Sequence, residues 1–179
     1  MTGEPLLIRR ASPGDASQLR DLAESTFRGA YGAVSDPVEI VNYIATHFTP
    51  ESVTARLDDP ASLFYLALLG DRAIGYAELR DEPPPECVTG RKPVQLSRIY
   101  LEQSAIGRGA GAALMKSCLE EASRRGCDTI WLSVWDQNHR ALAFYDAWGF
   151  RNVGTWEFDF GGTIYHDPVM VKDLGEAGA

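Results

Sequence analysis

Cysteine is scarce in this chain of 179 residues: Cys87, Cys118 and Cys127 make three, an odd number with no CxxC spacing. Neither a disulfide framework nor a zinc site is expected from that pattern. Long apolar runs are missing too, since no stretch approaches the ~18 residues of a membrane helix. The opening MTGEPLLIRR places a Glu and a Pro where a secretory signal needs a basic and then an apolar run, so the cytoplasm is the expected compartment. Positive charge is short: 17 Lys and Arg stand against 25 Asp and Glu, a net charge of -8 that weighs against a nucleic-acid partner. The same field suits a cationic small substrate. His47, His139 and His166 show no metal-ligand spacing, and no metal is expected.

What is present is an ordinary globular composition, 45% apolar and 23% charged, enough to bury a core in one domain. That domain is expected over residues 1–174, with 175–179 a disordered tail. Residues 6–10 read as a strand, and Ser12-Pro13-Gly14-Asp15 starts a helix running to about Tyr31. A second helix starts near Asp36-Pro37 with Val38, Val41, Ile44 and Ala45 on one face, and a third near Thr49-Pro50. Leu63–Leu69 and Ala73–Arg80 form a hairpin about Gly70-Asp71, and the proline-rich 81–93 an exposed loop. Then follow a strand at Val94–Leu101, a helix at Gly107–Arg125 stopped by Gly126, and a strand at Thr129–Trp135. A helix at Asn138–Trp148 precedes two strands, Arg151–Phe160 and Thr163–Val171, which turn at Gly161-Gly162. This alternation predicts a mixed α/β sheet.

The most informative segment is Leu101 to Ala112, which joins a strand to a helix and places Gly107, Gly109 and Gly111 at alternate positions. Unpaired N–H groups and a partial positive charge make a helix start an anion site, and glycine lets a phosphate approach the backbone. A P-loop is excluded because no Gly-Lys-Ser/Thr run is present, Lys116-Ser117 standing five residues beyond Gly111. Gly107-x-Gly109-x-x-Ala112 satisfies a relaxed dinucleotide pattern, but Glu102–Ile106 separate it from the strand.

Ile106-Gly107-Arg108-Gly109-Ala110-Gly111 resembles the Q/R-x-x-G-x-G/A signature of the GNAT superfamily of N-acetyltransferases, with Ile106 where a Gln or Arg is usual. Asn138 to Tyr145, followed by Trp148-Gly149-Phe150, resembles the family's N-x-x-A-x-x-F-Y…G-F block. Within the superfamily the chain is similar to PaiA-type polyamine acetyltransferases, on Thr26-Phe27, Arg98-Ile99-Tyr100 and the Trp131–Trp135 strand.

The resemblance implies a mainly antiparallel twisted sheet flanked by helices, with a parallel strand pair splayed at the cofactor site. It implies acetyl-CoA as cosubstrate and a small-molecule amine as acceptor, a polyamine first. Protein N-termini, other amines and a non-catalytic acyl-CoA sensor remain alternatives, and a homodimer is allowed. By the same resemblance Ile99, Tyr100 and Leu101 hold the pantetheine arm. Ile106, Gly107, Arg108, Gly109, Ala110, Gly111 and Ala112 hold the diphosphate. Asn138 contacts the cofactor, and Tyr145 protonates the departing thiolate. Gln95 stands where many members carry a basic Glu and cannot act as one. Glu78 is a further candidate base, with a solvent-facing charge as the plainer reading, so no base is assigned.

Overall fold

The computed structural model describes residues 4–33, 35–160 and 163–175. Seven strands form one sheet in the order β1-β2-β3-β4-β5-β7-β6, mostly antiparallel, with β4 and β5 parallel. The mixed sheet, its helices and its single parallel pair are those the sequence resemblance implied. Contacts divide the chain into two compact units, Met1–Leu79 with Arg98–Cys118, and Arg80–Ser97 with Leu119–Ala179.

The first unit carries β1 (Leu6–Arg10), α1 (Ala16–Tyr31), α2 (Pro37–His47), α3 (Pro50–Asp58), β2 (Ser62–Leu69) and most of β3 (Arg72–Arg80). It also holds the end of β4 (Pro93–Leu101) and the start of α4 (Ala110–Arg124). Local chemistry sets the helix starts. Asp36 and Thr49 accept the N–H groups of Val38 and Ser52 at 2.7 and 3.1 Å, satisfying donors that a first turn leaves orphaned. Ahead of α1, Asp15 accepts from the Ser12 N–H at 2.7 Å and from Arg9, whose guanidinium holds its carboxyl well below the usual range.

Two expectations in this unit are corrected. The buried face of α2 is Ile40 and Ile44, while Val38 and Val41 are 65% and 51% exposed. Both stripes of the helix are apolar, and the one beside Tyr43 wins because that ring stacks on Phe27 at 4.5 Å. Burial of Ile40 and Ile44 together with this ring contact outweighs burial of two valines. Glu78 does not face solvent: it is 0% exposed, ion-paired with Arg56, and accepts from Ser62 Oγ at 3.4 Å. From Ala73 to Leu79 every residue of β3 is buried, so this strand has no solvent face on which a charge can sit.

The second unit carries β5 (Thr129–Ser133), α5 (His139–Ala147), β6 (Arg151–Phe160) and β7 (Thr163–Asp173), with the start of β4 and the end of α4. The expected Gly161-Gly162 turn and residues 176–179 of the expected tail lie outside the described residues. β5 ends two residues before the expected Trp135. The 81–93 loop is not wholly exposed: Val88 is buried with Trp131, Val169 and Val171, and Cys87 packs against that cluster. A Cβ on Gly154 would lie 2.9 Å from Cys87 Cβ, so glycine is required for the loop to seat there. Among the described residues no helix is long and apolar enough to cross a membrane.

Asp167, also in this unit, is buried, and its Oδ1 has no hydrogen-bond partner. Burial raises its pKa, and Asp136 adds to the effect. A raised folded-state pKa means the carboxyl contributes stability below the unfolded value of about 3.9 and loses it as pH rises through the folded value. Asp167→Asn is therefore expected to melt above the wild type at pH 7, with the difference vanishing below pH of about 3.9. Thermal melts at several pH values check this, and an unchanged difference at every pH excludes it.

Candidate functional site

β4 is the strand on which the site is built. Its parallel pairing with β5 runs Pro93↔Thr129, Val94↔Ile130 and Gln95↔Trp131, and stops there while β4 continues to Leu101. Beyond Gln95 that edge of β4 has no β5 partner among the described residues, leaving main-chain groups for an extended ligand to pair with. Gly75 on β3 admits the close approach of β4, since a Cβ there would meet the Leu101 side chain and lie 2.9 Å from the Tyr100 carbonyl oxygen. Its isolated place inside a strand pattern was the available sequence signal.

After β4 the chain turns sharply. Glu102 N–H donates to Ile74 O at 2.9 Å and Ala105 N–H to Glu102 O at 2.9 Å, leading into the glycine loop. Gly107 and Gly109 have φ of 77° and 88°, and a Cβ on either would meet nothing within 4 Å. Only glycine takes that backbone without strain, and the space outward is open. α4 starts at Ala110, three residues later than expected, and Ala113 N–H donates to Gly109 O at 3.0 Å. The N–H groups of Ala110, Gly111 and Ala112 thus precede that intrahelical bond, a donor set suited to an anion. Arg108 is exposed, while Ile106 is half-buried. Ile99, Tyr100, Leu101 and 106–112 all belong to the first unit.

The fit to a diphosphate rests on these positive φ angles, the empty space at both Cβ positions and the free first turn. Gly109→Ala is expected to cost about 1–3 kcal/mol of stability through its backbone and to weaken coenzyme A binding at least tenfold. Calorimetry with coenzyme A and a thermal melt separate the two effects; unchanged affinity removes the loop from the site.

Asn138 and Tyr145 lie in the second unit. Asn138 caps α5, its Oδ1 accepting the Ala141 N–H at 3.1 Å. Tyr145 is 8% exposed, with its ring 5.6 Å from both Phe144 and Phe150. Gly149, at φ 82°, closes the helix.

The sequence pattern of the Acetyltransferase (GNAT) family matches residues 17–150, which spans the strand edge, the glycine loop and α5. The chain belongs to the GNAT acetyltransferase family. It is an acetyl-CoA-dependent N-acetyltransferase. An uncharacterised N-acetyltransferase of Mycobacterium tuberculosis is 33% identical over 161 residues, 89% of this chain and 98% of that protein. The spermine/spermidine N(1)-acetyltransferase of Bacillus subtilis is 33% identical over 82 residues, covering 45% of this chain and 50% of that protein. A PaiA N-acetyltransferase from Thermoplasma acidophilum, solved in complex with coenzyme A, shares the fold with a TM-score of 0.78 and 21% identity. That likeness covers 94% of this chain and 99% of that one.

A polar group on the helix side of β4 was not singled out from sequence beyond the Arg98-Ile99-Tyr100 motif. Arg98 donates to Tyr43 Oη at 3.0 Å and lies 5.0 Å from the Phe48 ring centre. Tyr100 Oη is 3.1 Å from Tyr31 Oη, and its ring is 5.9 Å from that of Tyr76. Tyr31, Tyr43, Tyr76 and Tyr100, four tyrosines far apart in sequence, meet here, so no local spacing could have shown the cluster.

Proposed function

We propose that this GNAT enzyme transfers the acetyl group of acetyl-CoA to a primary amine of a small molecule, with a polyamine as the first acceptor to test. The observation that carries the reading is the glycine loop at the head of α4, with its positive φ angles and open Cβ space. The polyamine reading is supported by the partial likeness to the Bacillus subtilis enzyme and by the net charge of -8.

In this reading the first-turn amides of α4 and those of Gly107 and Gly109 bind the cofactor diphosphate, and Arg108 adds a positive charge, while the Ile106 and Arg108 N–H groups donate to Gln103 O and Ala105 O. The free edge of β4 from Ile99 to Leu101 holds the pantetheine arm as an added strand. A β4 amide there donates to the thioester oxygen, where negative charge grows in the transition state. Bound acetyl-CoA supplies an activated acyl carbon. The acceptor amine attacks that carbon, the carbon–sulfur bond breaks, the thiolate receives the phenolic proton of Tyr145, and the proton lost by the nitrogen leaves through water, from which the phenolate is reprotonated. A phenol of ordinary pKa about 10 still carries that proton at neutral pH. Holding both reactants in line supplies much of the remaining rate. Glu78 takes no part as a base, because it is engaged by Arg56.

Thiol release measured with acetyl-CoA and a panel of amines tests the reading. Acetylated spermidine is the product that the polyamine reading requires. Release with other amines but none with spermidine removes the polyamine, and coenzyme A binding without release for any amine or peptide N-terminus turns the chain into a sensor.

A further inference from the structure

We infer that Arg98, with the hydroxyls of Tyr76 and Tyr100 behind it, forms an anion subsite that takes a carboxylate carried by the same molecule as the reacting amine. The inference rests on the acetyl-transfer reading and narrows its acceptor.

Arg98 is half-buried, so part of the residue's surface stays open. Among the described residues it makes one hydrogen bond, to Tyr43 Oη, and lies over the face of Phe48; Glu78 acts on it electrostatically but forms no ion pair with it. A guanidinium has five N–H donors in a planar fork, so most of its capacity is unspent. The carboxylate of this region, Glu78, is engaged by Arg56 and Ser62. Two guanidinium charges thus face one carboxylate, a local positive excess in a chain whose net charge is -8. His47, stacked 4.2 Å from Tyr43, reports that field: its pKa is lowered by partial burial and then by Arg98 and Arg56.

The phenols complete the site. Tyr76 is 1% exposed, and its hydroxyl is buried without a hydrogen-bond partner, although the Arg98 charge acts on it. Orphaned buried hydroxyls are uncommon, and one beside an unpaired cation points to an acceptor that is supplied from outside. Burial pushes the phenols of Tyr76 and Tyr100 well up, so both keep their protons as donors. A carboxylate accepts the Arg fork in bidentate fashion and has lone pairs left for a phenol. Arg98 and Tyr100 flank Ile99 on β4, next to the main chain expected to hold the thioester. An anion there ties the acceptor beside the reacting carbon, whereas a polycation meets two guanidinium charges. The subsite therefore ranks an amino acid above a polyamine.

The experiment compares kcat/KM for pairs of acceptors that differ only in the anion: lysine and ω-amino acids of increasing length against their carboxamides, with spermidine and an aminoalkyl phosphonate as further arms. The wild type is expected to prefer the acid to its amide by about 10- to 100-fold, the range for a hydrogen bond to a charged group. Arg98→Gln is expected to erase that preference with the KM for acetyl-CoA unchanged, and Arg98→Lys to restore part of it. Equal use of acid and amide by the wild type overturns the inference without needing any variant. So does an Arg98→Gln that lowers both alike, the signature of a merely structural arginine. A phosphonate preferred over every carboxylate overturns the carboxylate assignment. If Arg98→Gln fails to fold, Tyr76→Phe takes its place, with the acid again expected to lose more than the amide. Release with spermidine alone sinks this inference and leaves acetyl transfer intact, while no release with any amine sinks both.

Discussion

Replacing Glu78 with alanine is expected to destabilise the protein by about 3–5 kcal/mol, the range for removing one partner of a buried ion pair. The side chain is 0% exposed on a strand covered on both faces, so no water reaches it to replace the partner. The cost is less the lost attraction than what remains: Arg56, 19% exposed, keeps a guanidinium with its carboxylate gone, and Arg98 adds like charge nearby. At roughly 2–4 °C per kcal/mol for a chain of this size, the melting temperature should fall by about 6–20 °C. Glu78→Leu combined with Arg56→Met should recover much of the loss, because an apolar pair of similar volume has no charge to strand. A Glu78→Ala melt within about 1 kcal/mol of the wild type would show that the pair contributes no more than an exposed one.

Tyr145→Phe is expected to slow thiol release by at least 100-fold, the lower end of what a positioned proton donor contributes. Coenzyme A affinity should stay within about twofold, since the diphosphate is assigned to main-chain amides that the substitution does not touch. The ring contacts with Phe144 and Phe150 are retained by phenylalanine. Stopped-flow thiol detection with saturating amine, beside calorimetry for coenzyme A, separates the two effects. A variant with the wild-type rate reduces Tyr145 to a core aromatic and moves the thiolate's proton source elsewhere.

The glycine loop shows how far local chemistry carries. Its alternate glycines announced a backbone that side chains resist, and Gly107 and Gly109 adopt positive φ. The helix begins at Ala110 and not at Gly107, because glycines in that region of φ cannot be helical. Asn138 shows the opposite case. Its place at a helix start was readable, but its Oδ1 is spent on the cap, a bond that spacing alone did not assign. Arg98 was legible as a motif residue only. That it has no carboxylate partner depends on Arg56 reaching Glu78 first, across 22 residues of sequence.

By itself the sequence determined the order of strands and helices, the caps, the glycine turn and the family, because each depends on residues a few positions apart. The tertiary structure decided which stripe of α2 is buried, that Glu78 lies inside an ion pair, and that tyrosines from distant elements gather about Arg98. Those outcomes depend on what packs against a residue from distant parts of the chain, where burial and charge compete and no local pattern records the winner.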